Sequence, residues 1–151
     1  MSTERTLVLV KPDGVQRGLA GEIIGRLERT GLQIIGMKLM QVSEDLAGQH
    51  YAEHVGKPFY AGLLSYIISS PVVALAIEGP SAITTVRKIM GGTNPAEAAP
   101  GTIRGDLGVD VGRNLIHGSA NAEDALREVG LFFADSELFG YDRAIQSWIE
   151  E

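Results

Sequence analysis

The pattern of this sequence predicts an α+β fold in which helices cover a small sheet. Three observations carry that expectation. Short apolar runs alternate with segments whose apolar residues recur at helical spacing. The order reads β-α-β-α-α-β-α-loop-β-α. The 151 residues, 44% hydrophobic and 21% charged, suit one domain spanning 1–151 with a real buried core.

The first strand is residues 6–10, TLVLV, a nearly unbroken apolar run of the kind buried on both faces. It stops at Lys11-Pro12-Asp13-Gly14, a turn signal. Leu19, Ile23, Ile24 and Leu27 follow at helical spacing, with Glu22, Arg26, Glu28 and Arg29 opposite, and Gly31 closes the helix. Residues 32–42 read as a second strand with a bulge at Gly36. Ser43 caps a helix with Glu44 and Asp45 in its first turn; that helix carries His50, Tyr51 and His54. Residues 60–69 form another helix through Leu63, Leu64, Ile67 and Ile68. Residues 72–77 are a buried strand, and Pro80 or Ser81 opens a helix that runs to Met90. Residues 91–114 are long, rich in Gly and Pro and without periodicity, and a loop of that length is functional or disordered. Leu115-Ile116 then lead to His117, Asn121 caps a helix over 122–129, and a short apolar run, Leu131-Phe132-Phe133, follows. Two β-α-β halves with extra helices match the ferredoxin-like plan of an antiparallel sheet covered by helices. The pattern leaves the strand order open.

Composition narrows the function. A net charge of −6 disfavours a dedicated nucleic-acid binder, so no stable nucleic-acid partner is expected. If the ligand is a polyanion, a few local cations must meet it. There is no cysteine, which excludes disulfides and thiolate metal sites and fits a cytoplasmic protein. No 18-residue apolar run occurs and Met1–Arg5 lacks the features of a signal peptide, so no membrane association is expected.

Neither G-x-x-x-x-G-K-[ST] nor G-x-G-x-x-G is present, so a bound nucleotide must be held in another way. Lys11 ends the first buried strand, where it is either a solvated lysine or one presented to a site by a rigid edge. His50 and His54, at i and i+4, could join His117 in a zinc site, but two solvated surface histidines is the preferred reading. His117 ends a buried-looking strand and precedes Gly118 and Ser119. Glu128, on the next helix, can fold back onto one ring nitrogen and leave the other free as a nucleophile, with Ser119 holding the carboxylate. The alternative is a structural histidine satisfied by a carbonyl. Arg87 and Arg104 offer forks that fit phosphate oxygens, Thr93 a hydroxyl, and Gly101, Gly105, Gly108 and Gly112 a close backbone approach. A flexible solvated loop is the other reading of that stretch.

Four segments taken together remove the ambiguity: Lys11-Pro12-Asp13-Gly14-Val15, Gly91-Gly92-Thr93-Asn94-Pro95, residues 100–106 (PGTIRGD) and residues 112–119 (GRNLIHGS). This series resembles the nucleoside diphosphate kinase family across the whole chain, in order. Lys57-Pro58-Phe59 and the aromatic-rich C-terminal end agree with it. The resemblance implies a ping-pong transfer of the γ-phosphate from a nucleoside triphosphate to a diphosphate through phosphohistidine at His117. It implies that Glu128 and Ser119 orient that ring and that Tyr51 lies close to it. It implies that Lys11 and Asn114 reach the ribose hydroxyl, that Arg87, Thr93 and Arg104 hold phosphates, and that Phe59 stacks on the base between Leu63 and Val111. Mg²⁺ would bridge the phosphates without a direct protein ligand. A homo-oligomer is implied, the C-terminal extension favouring a hexamer over a tetramer. Ala120, Leu107 and Ile77 depart from the family's commoner residues, none at a catalytic position. A non-catalytic ligand-binding or interaction module on the same core is the rival from another class.

Overall fold

The computed structural model describes residues 3–151; Met1 and Ser2, which begin the polar N-terminal stretch, lie outside the described residues. Strand β1, Thr3–Val10, runs through the middle of the molecule. Its apolar residues alternate between two cores. Leu7 and Leu9 enter one, with Ile35, Ala74, Phe132 and Phe133. Val8 and Val10 enter the other, with Ile23, Leu27, Leu75 and Val86. Both faces of β1 are therefore buried, which is why its sequence reads as an unbroken apolar run.

Strand β1 pairs antiparallel with β3, Val72–Pro80, and with β4, Ile116–Gly118; β2, Gln33–Met40, pairs antiparallel with β3. The sheet order is β2-β3-β1-β4, the one feature the sequence pattern left open. The register slips between Ile34 and Gly36, where the bulge was expected. Helices α2 (Ala20–Arg29) and α5 (Ala82–Met90) cover one face, and α3 (Glu44–His50), α4 (Tyr60–Ile67) and α7 (Ala122–Phe132) cover the other. Ser43 accepts a hydrogen bond from the Leu46 N–H, and Asn121 accepts one from the Asp124 N–H, so both expected caps form.

Four elements differ from expectation. The helix capped by Ser43 ends at His50, so Tyr51 is its C-cap and His54 lies in a separate 3₁₀ turn, Ala52–His54. Lys11-Pro12-Asp13-Gly14 is not a bare turn but the entry to a one-turn helix, α1 (Pro12–Gln16); Pro12 stands at its start, where a missing N–H costs nothing. Residues 91–114 are not a continuous loop, because they contain the five-residue helix α6 (Ile103–Leu107). Thr102 caps it by accepting from the Gly105 N–H, and five residues are too few to show a helical period. Helix α7 runs on to Phe132, so Leu131-Phe132-Phe133 is its last turn and C-cap rather than a separate run. No described helix is long and apolar enough to cross a membrane.

Candidate active site

Strand β4 is three residues long and sits beside the C-terminal half of β1, so Leu9 pairs with His117 and Val10 with Ile116. That register sets Lys11, two residues beyond Leu9, diagonally across from His117. Gly118 must be glycine for this strand to lie flat against α5: an added Cβ would be 2.6 Å from Met90 Sδ and 2.9 Å from Val86 Cγ1.

Helix α7 packs back across β1 and carries Glu128 to the strand. His117 Nε2 lies 2.8 Å from Glu128 Oε1. Ser119 donates its hydroxyl to the same oxygen at 2.7 Å and accepts from the Leu7 N–H at 3.2 Å. Ser119 and Glu128 are buried while His117 is partly open. Burial pushes the Glu128 carboxyl up, but the hydrogen bond and charge of His117, the Ser119 hydroxyl and His50 together hold it below the ordinary glutamate range. An ionised carboxylate accepts only, so it fixes the proton on Nε2 and leaves the Nδ1 lone pair free. The three residues expected to form this relay come together as expected.

His50 is the neighbour of His117 that sequence reasoning missed. It is not a solvated surface residue: its side chain is 2% exposed, and its ring meets the His117 ring edge-on, with centroids 4.7 Å apart. His50 Nδ1 lies 4.0 Å from Glu128 Oε2 and is buried without a hydrogen-bond partner. Burial above all, then His117, lowers its pKa to about 3, so it stays neutral. Ala47, His50 and Tyr51 fall at i, i+3 and i+4, the spacing of a buried helical stripe, which is the signal that would have found it. His54 goes elsewhere. Its ring packs on Phe59 and Tyr51, and its Nδ1 is 3.3 Å from Lys57 Nζ. The trio His50, His54 and His117 therefore does not assemble; the group within 4.8 Å is His50, His117 and Glu128. Tyr51 packs on the His50 ring at 4.7 Å, and burial, helped by Glu128, raises its phenol to about 12.

On the other side of His117, Lys11 Nζ donates to Asn114 Oδ1 at 2.8 Å, and Asn114 Nδ2 donates to the Thr93 carbonyl at 3.0 Å. Burial, with Arg104 adding to it, lowers the Lys11 ammonium to about 8 against the pull of Asp13. Arg104 is 5% exposed and donates through Nε, Nη1 and Nη2 to the carbonyls of Asn114, Gly91 and Ile116. Two of its five N–H groups stay free. Burial, then Arg87, lowers its pKa to about 10. Arg87 is exposed and gives one N–H to the Gly118 carbonyl at 3.1 Å. Thr93 is exposed, and Phe59 and Val111 are about half exposed, whereas Leu63 packs against the core. Gly105 and Gly108 do not line an open approach. A side chain at either would collide with the loop's own Ala99 carbonyl or with Pro95.

The backbone between Asn114 and Ile116 is unusual. Leu115 has φ +74°, and the Ile116 N–H donates to the Asn114 carbonyl at 2.8 Å, which closes a three-residue γ-turn. A leucine in that region costs roughly 1–3 kcal/mol and persists only where its surroundings hold it.

This constellation sets a histidine oriented by a carboxylate beside lysine and arginine cations, with an exposed aromatic nearby. The family model for nucleoside diphosphate kinase matches residues 4–138. The chain belongs to the nucleoside diphosphate kinase family. It is 59% identical to the nucleoside diphosphate kinase of Desulforamulus reducens over 148 residues, 98% of this chain and 99% of that one. It is 57% identical to that of Archaeoglobus fulgidus, covering 98% of each. Among solved structures it superposes on the halophilic enzyme of Halobacterium salinarum in complex with CDP, with a TM-score of 0.96, 54% identity and coverage of 99% and 100%. A transition-state mimic of the Borrelia burgdorferi enzyme with bound vanadate and ADP gives 0.92, 39% identity and coverage of 97% and 96%. The residues outside the family's commoner pattern lie away from His117's relay: Ala120 is exposed, and Leu107 and Ile77 pack in the core.

Proposed function

We propose that this nucleoside diphosphate kinase works as one domain by a ping-pong mechanism in which His117 Nδ1 carries the phosphoryl group. The observation that carries the reading is the 2.8 Å contact between His117 Nε2 and Glu128 Oε1, which leaves Nδ1 as the free nitrogen. Nδ1 attacks the γ-phosphorus of a nucleoside triphosphate. The N–P bond forms as the bond from phosphorus to the bridging oxygen breaks, and the diphosphate departs with that electron pair. Nε2 keeps its proton and donates a hydrogen bond through it to Glu128, so the charge growing on the imidazole meets a carboxylate. An acceptor diphosphate then reverses the step.

Catalysis of this kind asks mainly for positioning and charge stabilisation. Arg87, Thr93 and the free N–H groups of Arg104 hold the phosphates, and Lys11 and Asn114 reach the ribose hydroxyl, with Lys11 near the transferred group. Tyr51 backs His117 through His50. Phe59, flanked by Val111 and Leu63, stacks on the base; every base has a π-face, so discrimination among bases is weak. The nearby carboxylates are committed, Glu128 to His117 and Ser119, and Asp13 to Tyr66 and the Leu115 N–H. The donor set therefore fits Mg²⁺ arriving on the nucleotide rather than a resident ion. Bound there, Mg²⁺ neutralises phosphate charge during transfer.

The proposed compartment is the cytoplasm, whose reducing environment makes no demand on a cysteine-free chain. The proposed assembly is a hexamer. In the single chain Trp148 is 88% exposed, and Phe139, Tyr141 and Ile145 are exposed with it, a surface suited to burial between subunits. Light scattering would then give six times the chain mass; a fourfold mass would favour the tetramer.

The mechanism is tested by mixing the protein with γ-labelled ATP and Mg²⁺ without acceptor, beside His117→Ala. The expected result is an acid-labile, base-stable label on the unmutated protein alone, discharged to GTP by GDP. Absence of label on both removes the covalent mechanism and favours the non-catalytic ligand-binding module. Equal kcat/KM for a 3′-deoxy diphosphate and the normal acceptor would contradict the ribose contact.

A further inference from the structure

We infer that Asp13 and Tyr66 are positioning residues that hold the γ-turn in front of His117, and through it the nucleophile, in its reactive place. The inference rests on His117 as the nucleophile. The turn at Leu115 lies between Asn114, which meets Lys11, and Ile116-His117, which pairs with β1. Left-handed backbone at a leucine does not hold itself, so its polar groups must be gripped.

Each of them is. The Leu115 N–H donates to Asp13 Oδ2 at 3.1 Å, and the Leu115 carbonyl accepts from the Lys11 N–H at 2.9 Å. The carbonyls on either side, Asn114 and Ile116, accept from Arg104. Of the two grips on Leu115 itself, only the Asp13 carboxylate belongs to a side chain; the other is the Lys11 backbone N–H. The second Asp13 oxygen accepts from the Tyr66 hydroxyl, and a carboxylate held at both oxygens is restrained from rotating. Arg113 lies over the Tyr66 ring, 4.6 Å from its centroid. Tyr66 stands on α4, the helix that Phe59 precedes at the N-cap, so one helix supports both the base-side aromatic and the turn beneath the nucleophile. Losing the Tyr66 hydroxyl frees the carboxylate, loosens the Leu115 N–H and lets Asn114 and His117 drift from Lys11. Positional error of this kind slows the chemical step more than it weakens nucleotide binding.

The test compares Tyr66→Phe and Asp13→Asn with Ile67→Val, a buried change on the same helix that does not touch the turn. Rapid-quench labelling of His117 from γ-labelled ATP gives the rate at saturating nucleotide and the concentration for half-maximal rate; calorimetry gives Tm. Tyr66→Phe keeps the ring over which Arg113 lies and is expected to slow labelling by about tenfold, with half-saturation within twofold of the unmutated protein. Asp13→Asn is expected to slow it further. Ile67→Val is expected to lower Tm while leaving the rate within twofold. If Asp13→Asn does not fold, Tyr66→Phe alone decides. Labelling of Tyr66→Phe at the unmutated rate overturns the inference. So does an equal slowing by Ile67→Val at matched Tm, which would make the effect general destabilisation. A His117→Ala protein that still takes up label would overturn the nucleophile reading itself. An unlabelled His117→Ala beside a normal Tyr66→Phe would sink this inference alone.

Discussion

The two walls around His117 are built differently. The nucleophile wall is fixed by the core: Glu128, Ser119, Asn114 and Arg104 are each 6% exposed or less, and each has its partners inside the protein. The base wall is half open: Phe59 is 50% and Val111 53% exposed. Under the proposed mechanism the difference follows from what each wall does. A phosphoryl transfer tolerates little positional error, so its groups are locked by hydrogen bonds and packing. Stacking on a base needs only a flat apolar face, and an exposed one serves all bases alike.

Breaking the nucleophile wall should give the largest effects. His117→Ala should abolish nucleotide exchange in a coupled ATP/GDP assay while Tm changes little, because the ring is partly open. Glu128→Gln should lower kcat at least about 100-fold, because an amide can donate to Nε2 and so favours the tautomer with a proton on Nδ1. Near-normal kcat in that variant would remove the carboxylate from the mechanism. The same wall predicts a pH limit. Lys11, lowered to about 8 chiefly by burial, carries its charge below that pH and loses it above, so kcat/KM should fall as pH rises through about 8. A profile flat to pH 9.5 would show that the Lys11 charge is not used.

Changes to the base wall should be milder. Phe59→Ala should cost about 1–3 kcal/mol of nucleotide binding, seen as a raised KM similar for purine and pyrimidine diphosphates. A loss confined to one base class would point to a specific contact instead. The last effect, absent at neutral pH, concerns stability in acid. His50, whose pKa drops from 6.5 to about 3 on folding, lets the unfolded chain bind more protons between those values. Its contribution is complete above pH 6.5 and is lost as pH falls toward 3. His50→Gln should flatten part of the decline in Tm over that range; an unchanged slope would assign the decline to the carboxylates, Glu128 included.

Much of this was legible in the sequence. The strand TLVLV, the capping residues Ser43 and Asn121 and the bulge at Gly36 are local signals, and each forms where local chemistry puts it. The relay of His117, Glu128 and Ser119 was legible because a strand end and the next helix supply all three within twelve residues. The family resemblance was carried by short motifs of the same kind.

What only the tertiary structure decided is everything that depends on distant segments meeting. The sheet order β2-β3-β1-β4 brings residue 117 beside residue 9, and no local pattern encodes that. His50 looked like a surface residue because its spacing to His54 suggested a shared solvent face; the packing of α3 against α7 buries it on His117 instead. The glycines and arginine of residues 91–114 suggested an open phosphate loop. The fold instead closes Gly105 and Gly108 against their own chain, and it fixes Arg104 on three carbonyls while leaving two of its N–H groups free. The strained turn at Leu115 has no sequence signature, since glycine or asparagine is the residue expected there. It exists because Asp13, Lys11 and Arg104, from other parts of the chain, converge to hold it, and such a convergence has physical form only once the chain has folded.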